Sequence, residues 1–227
     1  MSHRSTKSRR RFLYNLGAAG IGLTAAMSNG AASEACKVNL TPRQPEGPFY
    51  PVDERLNNDN DLTQVDGKSE VAKGQKIYIK GIVTDQNCAP VENALVEIWQ
   101  ACESGRYDHP GDSNNSAPLD PNFQYWGQMA TKVDGSYIFK TVIPGSYAAS
   151  ASWIRPPHIH YKVSAKGYRE LITQMYFVGQ KYNDSDLILN DLSAEDQSQV
   201  VVNLTDSEEG MDPTAMLAIF HIQIQKI

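Results

Sequence analysis

Two histidines one residue apart sit in the run Arg155-Pro156-Pro157-His158-Ile159-His160-Tyr161. Prolines lack an N–H, and each holds the residue before it extended, so no helix crosses Arg155 to Pro157 and a strand should follow. Strand side chains alternate faces, which puts His158 and His160 on one face and Ile159 on the other. Paired imidazoles are half of a metal site, but a strand can also carry two histidines for no such reason, so what else converges on them decides. Two tyrosines are candidates: Tyr107, in Gly105-Arg106-Tyr107, and Tyr147, after the turn Pro144-Gly145-Ser146. A phenolate oxygen is a hard anionic donor suited to a trivalent, oxygen-seeking ion, whereas zinc sites favour His, Cys and carboxylate. A ferric ion with two phenolates and one hydroxide is formally neutral, which makes its burial tolerable.

The elements that must position these side chains read as short strands. Residues 76–83 and 94–99 alternate, with a turn between them, and a loop rich in Gly, Asp, Asn and Pro runs from 103 to 128. A structureless loop of that length inside a compact domain is usually functional. Strand pattern resumes over 127–133 and 137–142 around Asp134-Gly135, a hairpin signal. It continues over 159–163 and 171–177, and 216–225 reads as one alternating closing strand. Ser193 is placed to cap a short helix over 193–201. Many short strands with few helices predict an all-β fold, an antiparallel β-sandwich with long active-site loops. Residues 36–74 predict an irregular N-terminal arm, and 75–227 a single domain.

The 227 residues carry a formal charge of −5, and those after residue 35 carry 16 positive against 25 negative side chains. So acidic a body has no electrostatic footprint for nucleic acid or anionic lipid. Residues 1–35 predict an export signal: Ser8-Arg9-Arg10-Arg11-Phe12-Leu13 resembles the twin-arginine signature, and an Ala- and Gly-rich run follows. The expected location is therefore periplasmic or extracellular. No membrane attachment is expected after signal removal unless Cys36 is lipidated. Cys36, Cys88 and Cys102 are an odd set for an oxidising compartment. A strand's length separates Cys88 from Cys102, too far for a direct disulfide, so Cys36 is the residue able to pair with either.

Several motifs, in order, resemble one known family. They are Val96-Glu97-Ile98-Trp99-Gln100-Ala101, Gly105-Arg106-Tyr107, Ala117-Pro118-Leu119-Asp120-Pro121-Asn122-Phe123, Asp134-Gly135-Ser136-Tyr137, the Arg155 to His160 run, and Leu171-Ile172-Thr173-Gln174-Met175-Tyr176-Phe177. The family is the intradiol ring-cleavage dioxygenases, most closely the iron-bearing subunit of its protocatechuate 3,4-dioxygenase branch. The resemblance implies non-haem Fe(III) held by Tyr107, Tyr147, His158 and His160, with Tyr147 also accepting a substrate proton. It implies Arg155 and Gln174 facing the substrate, the one a permanent cation, the other a donor and acceptor in one group. It implies cleavage of a catechol-type aromatic by O2 between its two hydroxylated carbons, giving a cis,cis-muconate-type diacid, with a homo-oligomer possible.

Two departures stand out. Where relatives carry Tyr-Pro-Trp, this chain has Tyr147-Ala148-Ala149, and the stretch from Tyr147 to His158 is about two residues shorter. Trp153 is the residue able to refill that wall. The competing expectation is an exported, non-catalytic β-sandwich binding module, since a fold alone does not fix function. A cupin-type site is disfavoured, because no Glu follows the second histidine before Glu170.

Overall fold

The computed structural model describes residues 39–52 and 58–227. The expected export signal, Cys36 and residues 37–38 and 53–57 of the arm lie outside the described residues. Two five-stranded sheets face each other. The first is built on β1 (Lys76–Asp85), with β4 (Ser136–Val142) on one side and β11 (Met216–Ile219), β12 (Ile222–Ile224) and β10 (Leu204–Asp206) on the other. The second runs β3 (Trp126–Ala130), β2 (Leu95–Trp99), β7 (His158–Ser164), β8 (Leu171–Phe177), β9 (Val201–Val202). A hairpin of β5 (Tyr147–Ser150) and β6 (Trp153–Arg155) forms a separate two-stranded sheet. Among the described residues the one α-helix, α1 (Ala194–Val200), is capped by the Ser193 hydroxyl, which accepts from the Asp196 N–H.

Alternation explains the layers. Ile77, Ile79 and Phe139 of the first sheet and Val96, Ile98, Ile159, Tyr161 and Met175 of the second are buried in one core. Burying side chains of this size is worth roughly 1.5–3 kcal/mol each, and this is the main force joining the sheets. The all-β sandwich read from the sequence is what the chain forms.

Three details differ from the pattern. The pairings β1–β11, β1–β12 and β8–β9 are parallel, not antiparallel. Each joins segments far apart in the chain, which a period of two cannot reveal. The expected single closing strand is two strands, β11 and β12, broken at Phe220-His221, where the His221 Nδ1 accepts from the Ile82 N–H. Across that break a Cβ on Gly81 would lie 1.8 Å from the Phe220 carbonyl oxygen, so only glycine fits. Finally, Asp134-Gly135 makes its tight turn, with the Ser136 N–H donating to the Asp134 carboxylate, but it joins the two layers instead of two paired strands.

The site depends on the outer face of the second sheet. Both faces of β7 and β8 are buried, as in sheets covered on each side. The cover comes from the arm around Gln44 to Tyr50, the loop between β2 and β3, and the β5–β6 hairpin.

Candidate metal centre and diol cleft

His158 and His160 lie on the outer face of β7, each about 2% exposed, while Ile159 and Tyr161 turn into the core. Register places His160 between Trp99 of β2 and Gln174 of β8, and His158 beside Tyr176. The Trp99 ring stacks on His160 at 4.8 Å and 10°, fixing the imidazole plane. The proline pair sets the other ring. His158 Nδ1 lies 2.7 Å from the Pro156 carbonyl, which can only accept, so Nδ1 carries the proton and Nε2 the lone pair.

Tyr107 and Tyr147 arrive from different directions and meet the histidines. The ring centroids form a closed circuit: Tyr107 to Tyr147 5.6 Å, Tyr147 to His158 5.7 Å, His158 to His160 5.0 Å, His160 to Tyr107 6.4 Å. Tyr107 is held by its backbone N–H, which donates to the buried Asp112 carboxylate at 2.8 Å. Its segment packs directly on the one leading to Tyr147: Gly105 has φ +82°, and a Cβ there would meet the Ser146 carbonyl at 2.3 Å. Tyr147 pairs across the hairpin with Arg155, so one small sheet delivers both.

Arg155 is 3% exposed and uses its whole guanidinium. Nε donates to Asp186 Oδ2 at 2.9 Å and Nη2 to Asp186 Oδ1 at 3.2 Å. Nη2 also reaches Gln174 Oε1 at 2.9 Å and the Tyr176 hydroxyl at 3.0 Å, and Nη1 lies 3.1 Å from His158 Nε2. Gln174 is fixed in turn, its Nε2 donating to the Pro45 carbonyl at 2.8 Å. All six residues singled out from the sequence therefore come together.

Electrostatics follow from burial. Desolvation pushes the Tyr107 phenol well above its ordinary pKa, and the neighbouring Tyr147 adds to it. Burial raises Tyr147 too, with the Arg155 charge pulling the other way. Burial, then the Arg155 charge, holds both imidazoles well below their usual value. Burial also works against the Arg155 charge, but the hydrogen-bonded Asp186 carboxylate outweighs it and the guanidinium stays ionised. In the protein alone the circuit is thus two neutral phenols and two lone-pair-bearing imidazoles.

This donor set fits a hard, acidic metal ion. The Tyr107 hydroxyl and His160 Nδ1 are buried without hydrogen-bond partners. Orphaned atoms of this kind are rare and call for an explanation, which an ion at the centre supplies for the phenol. Among the described residues, no three His, Cys, Asp or Glu side chains gather as a metal group, so an ion held here would need the phenols as well.

Beside the circuit opens a cleft of about 810 Å³, bordered by Tyr147, Ala148, Ala149, Trp153, Arg155 and His160 and, from the arm, by Gly47, Pro48 and Phe49. Phe49 stacks on Tyr107 at 4.5 Å. The sequence reading missed Gln44, Phe49, Trp99, Tyr176 and Asp186 as parts of this neighbourhood. Tyr176 carried a signal, lying two strand residues beyond Gln174 on the same face; Gln44 and Asp186 are brought in from distant segments and carried none.

The fold and this circuit match what the resemblance to ring-cleaving dioxygenases implies, and the comparisons point to the same class. The family model described as Dioxygenase matches residues 45–225. The protocatechuate 3,4-dioxygenase beta chain of Burkholderia cepacia is 36% identical over 188 residues, 74% of this chain and 79% of that one. Catechol 1,2-dioxygenase of Acinetobacter guillouiae is 33% identical over 181 residues, 73% of this chain but 57% of its own length. Among solved structures, the dioxygenase domain of a dioxygenase carbohydrate-binding protein fusion from Streptomyces sp. SirexAA-E superposes with a TM-score of 0.61 at 25% identity, covering 83% of this chain and all of that one. Catechol 1,2-dioxygenase of Acinetobacter radioresistens shares the fold, with a TM-score of 0.65 at 24% identity over 88% of this chain and 67% of its own. The chain belongs to the intradiol ring-cleaving dioxygenases, a family of oxidoreductases.

Proposed function

We propose that the chain is a non-haem Fe(III)-dependent intradiol dioxygenase. It opens a catechol-type ring between the two hydroxylated carbons and yields a cis,cis-muconate-type diacid. Both atoms of O2 enter the product, so the ring is oxidised, O2 is reduced and no further reductant is needed. The observation that carries the reading is the closed circuit of Tyr107, Tyr147, His158 and His160, with an orphaned buried phenol in it. Those four residues would hold the ferric ion, which supplies the acidity that makes phenolates of the tyrosines and a bound diolate reactive towards O2.

The chain's own share is specific. His158 Nδ1–H stays on the Pro156 carbonyl and leaves Nε2 as the nitrogen with the lone pair, which accepts from Arg155 Nη1 at 3.1 Å here and would turn to an ion when one is bound. Tyr147 borders the cleft, so its phenolate oxygen is placed to take a proton from an incoming diol hydroxyl. The burial that favours its neutral form then helps it keep that proton. Arg155, held ionised by Asp186, offers fixed positive charge where negative charge develops on the ring. Gln174 and Tyr176 hold the guanidinium there. Phe49 and Trp99 pack around the donors and keep water out.

Protein purified from iron-replete cells is expected to show a visible phenolate-to-iron absorption band, a high-spin ferric EPR signal and catechol-dependent O2 uptake. A colourless, iron-free product overturns the reading. Export by the twin-arginine route belongs to the same proposal and rests on Ser8 to Leu13. With both Arg9→Lys and Arg10→Lys, the enzyme should stay in the cytoplasmic fraction; unchanged export removes that part.

A further inference from the structure

We propose that the substrate is a catechol bearing a bulky, uncharged substituent that leaves the cleft across Ala148 and Ala149, and that the site discriminates against ring carboxylates. The proposal rests on the ring-cleaving reading above and adds the substrate class to it.

Three observations point there. The first is size. Pockets of about 300–1,000 Å³ hold drug-sized ligands, so a cleft of 810 Å³ is far more than a bare diol ring fills. The side chains at its mouth are small, since Ala148 and Ala149 line it and are exposed. The hairpin that presents Tyr147 and Arg155 thus leaves the space beyond them open.

The second is the chemistry of the walls. Trp153 and Ile188 line the apolar side, and Leu187, next in the chain, is 64% exposed. The Trp153 indole lies 5.5 Å from the Arg155 guanidinium, and its Nε1–H is buried without a hydrogen-bond partner. Asn114 and Ser116, also in the lining, are polar but uncharged.

The third is charge. Among the residues bordering the cleft, Arg155 is the one guanidinium or ammonium group, and Asp186 already holds it at 2.9 and 3.2 Å. The buried Asp112 carboxylate also borders the space. A ring carboxylate would lose its hydration and meet no free cation, an uncompensated cost. A neutral aryl group meets the apolar side chains of Trp153 and Ile188 without that cost.

The test uses the full-length, iron-loaded protein and four probes: catechol, protocatechuate, 4-phenylcatechol, and the biaryl of equal size with a carboxylate on its second ring. O2 uptake is expected to give a kcat/KM for 4-phenylcatechol at least equal to that for catechol and ~tenfold or more above that for either carboxylate. The range is that of a pocket gaining or losing a few contacts. Anaerobic calorimetry should give the same order of affinities. Equal or better use of the carboxylates overturns the proposal. So does turnover of catechol with none of 4-phenylcatechol, which leaves ring cleavage standing. If no diol is turned over, the ring-cleaving reading fails, and the calorimetric order separately upholds or overturns the substrate class. Ala148→Trp should lower the 4-phenylcatechol to catechol ratio by ~tenfold, and an unchanged ratio counts against the exit path.

Discussion

Arg155 and Asp186 show how much the site owes to residues outside its donor circuit. The pair is fully buried and doubly hydrogen-bonded, and removing one partner strands the other's charge. Asp186→Asn is expected to cost about 3–5 kcal/mol in denaturant unfolding. Replacing both, with Arg155→Met and Asp186→Leu, should recover most of that stability without activity, because an apolar pair of similar volume removes the stranded charge together with the cation proposed to face the substrate. A double variant as unstable as the single one would show that the pair's role is packing. At the donors, Tyr107→Phe should shift the visible band and His160→Ala should abolish iron retention, both read by absorption and metal analysis. Of the six candidate residues, His158 and His160 were legible from the proline pair and strand alternation, while Tyr107, Tyr147, Arg155 and Gln174 were legible only through the family resemblance. Asp186 was not, since a carboxylate in a polar loop looks the same whether it faces water or a buried arginine.

Among the elements, β1 carries the most risk. It pairs with β11 over its first half and β12 over its second, and the switch falls where Gly81 faces the Phe220 carbonyl and the Tyr137 ring. Gly81→Ala should destabilise by about 3 kcal/mol, the upper end for overpacking, seen as a lower Tm; an unchanged Tm would mean the two halves can part without cost. Iron retained after mild folding conditions would place the damage in the first sheet, away from the centre. Strand existence was readable from period-two patterning, and β1, β2, β4, β7 and β8 lie where it put them. Partners were not readable, because parallel pairing between chain segments over a hundred residues apart leaves no local trace. The arm was expected to be irregular, and its described residues, 39–52 and 58–74, form no helix and no named strand. Its value lies in contacts: Gln44 Oε1 accepts from the Gln174 N–H at 2.9 Å and its Nε2 reaches the Tyr176 hydroxyl at 3.2 Å.

Over the whole molecule, an ion held by Tyr107, Tyr147, His158 and His160 would tie a long loop, a hairpin and a core strand to one point. Binding to the folded state alone stabilises by about 2.7 kcal/mol at a hundredfold excess over Kd. Stripping the metal with a reductant and chelator should therefore lower Tm, and adding ferric ion back should restore it; equal Tm values with and without metal would argue against the four-residue site. The acidic surface read from composition acts at this scale as well, giving anionic diols no long-range attraction before the cleft applies its own selection.

The β5–β6 hairpin has a further consequence. Its two ends, Tyr147 and Arg155, are pinned to each other and to the centre, while Ala148 to Ser152 between them are exposed and bind nothing in the core. Such an arrangement behaves as an exchangeable cassette: the tip can lengthen, shorten or change composition by drift without disturbing the atoms that do the chemistry. Diversification of diol preference in this lineage would then cost little stability, and an engineer could graft a new tip onto the same anchors to retune it.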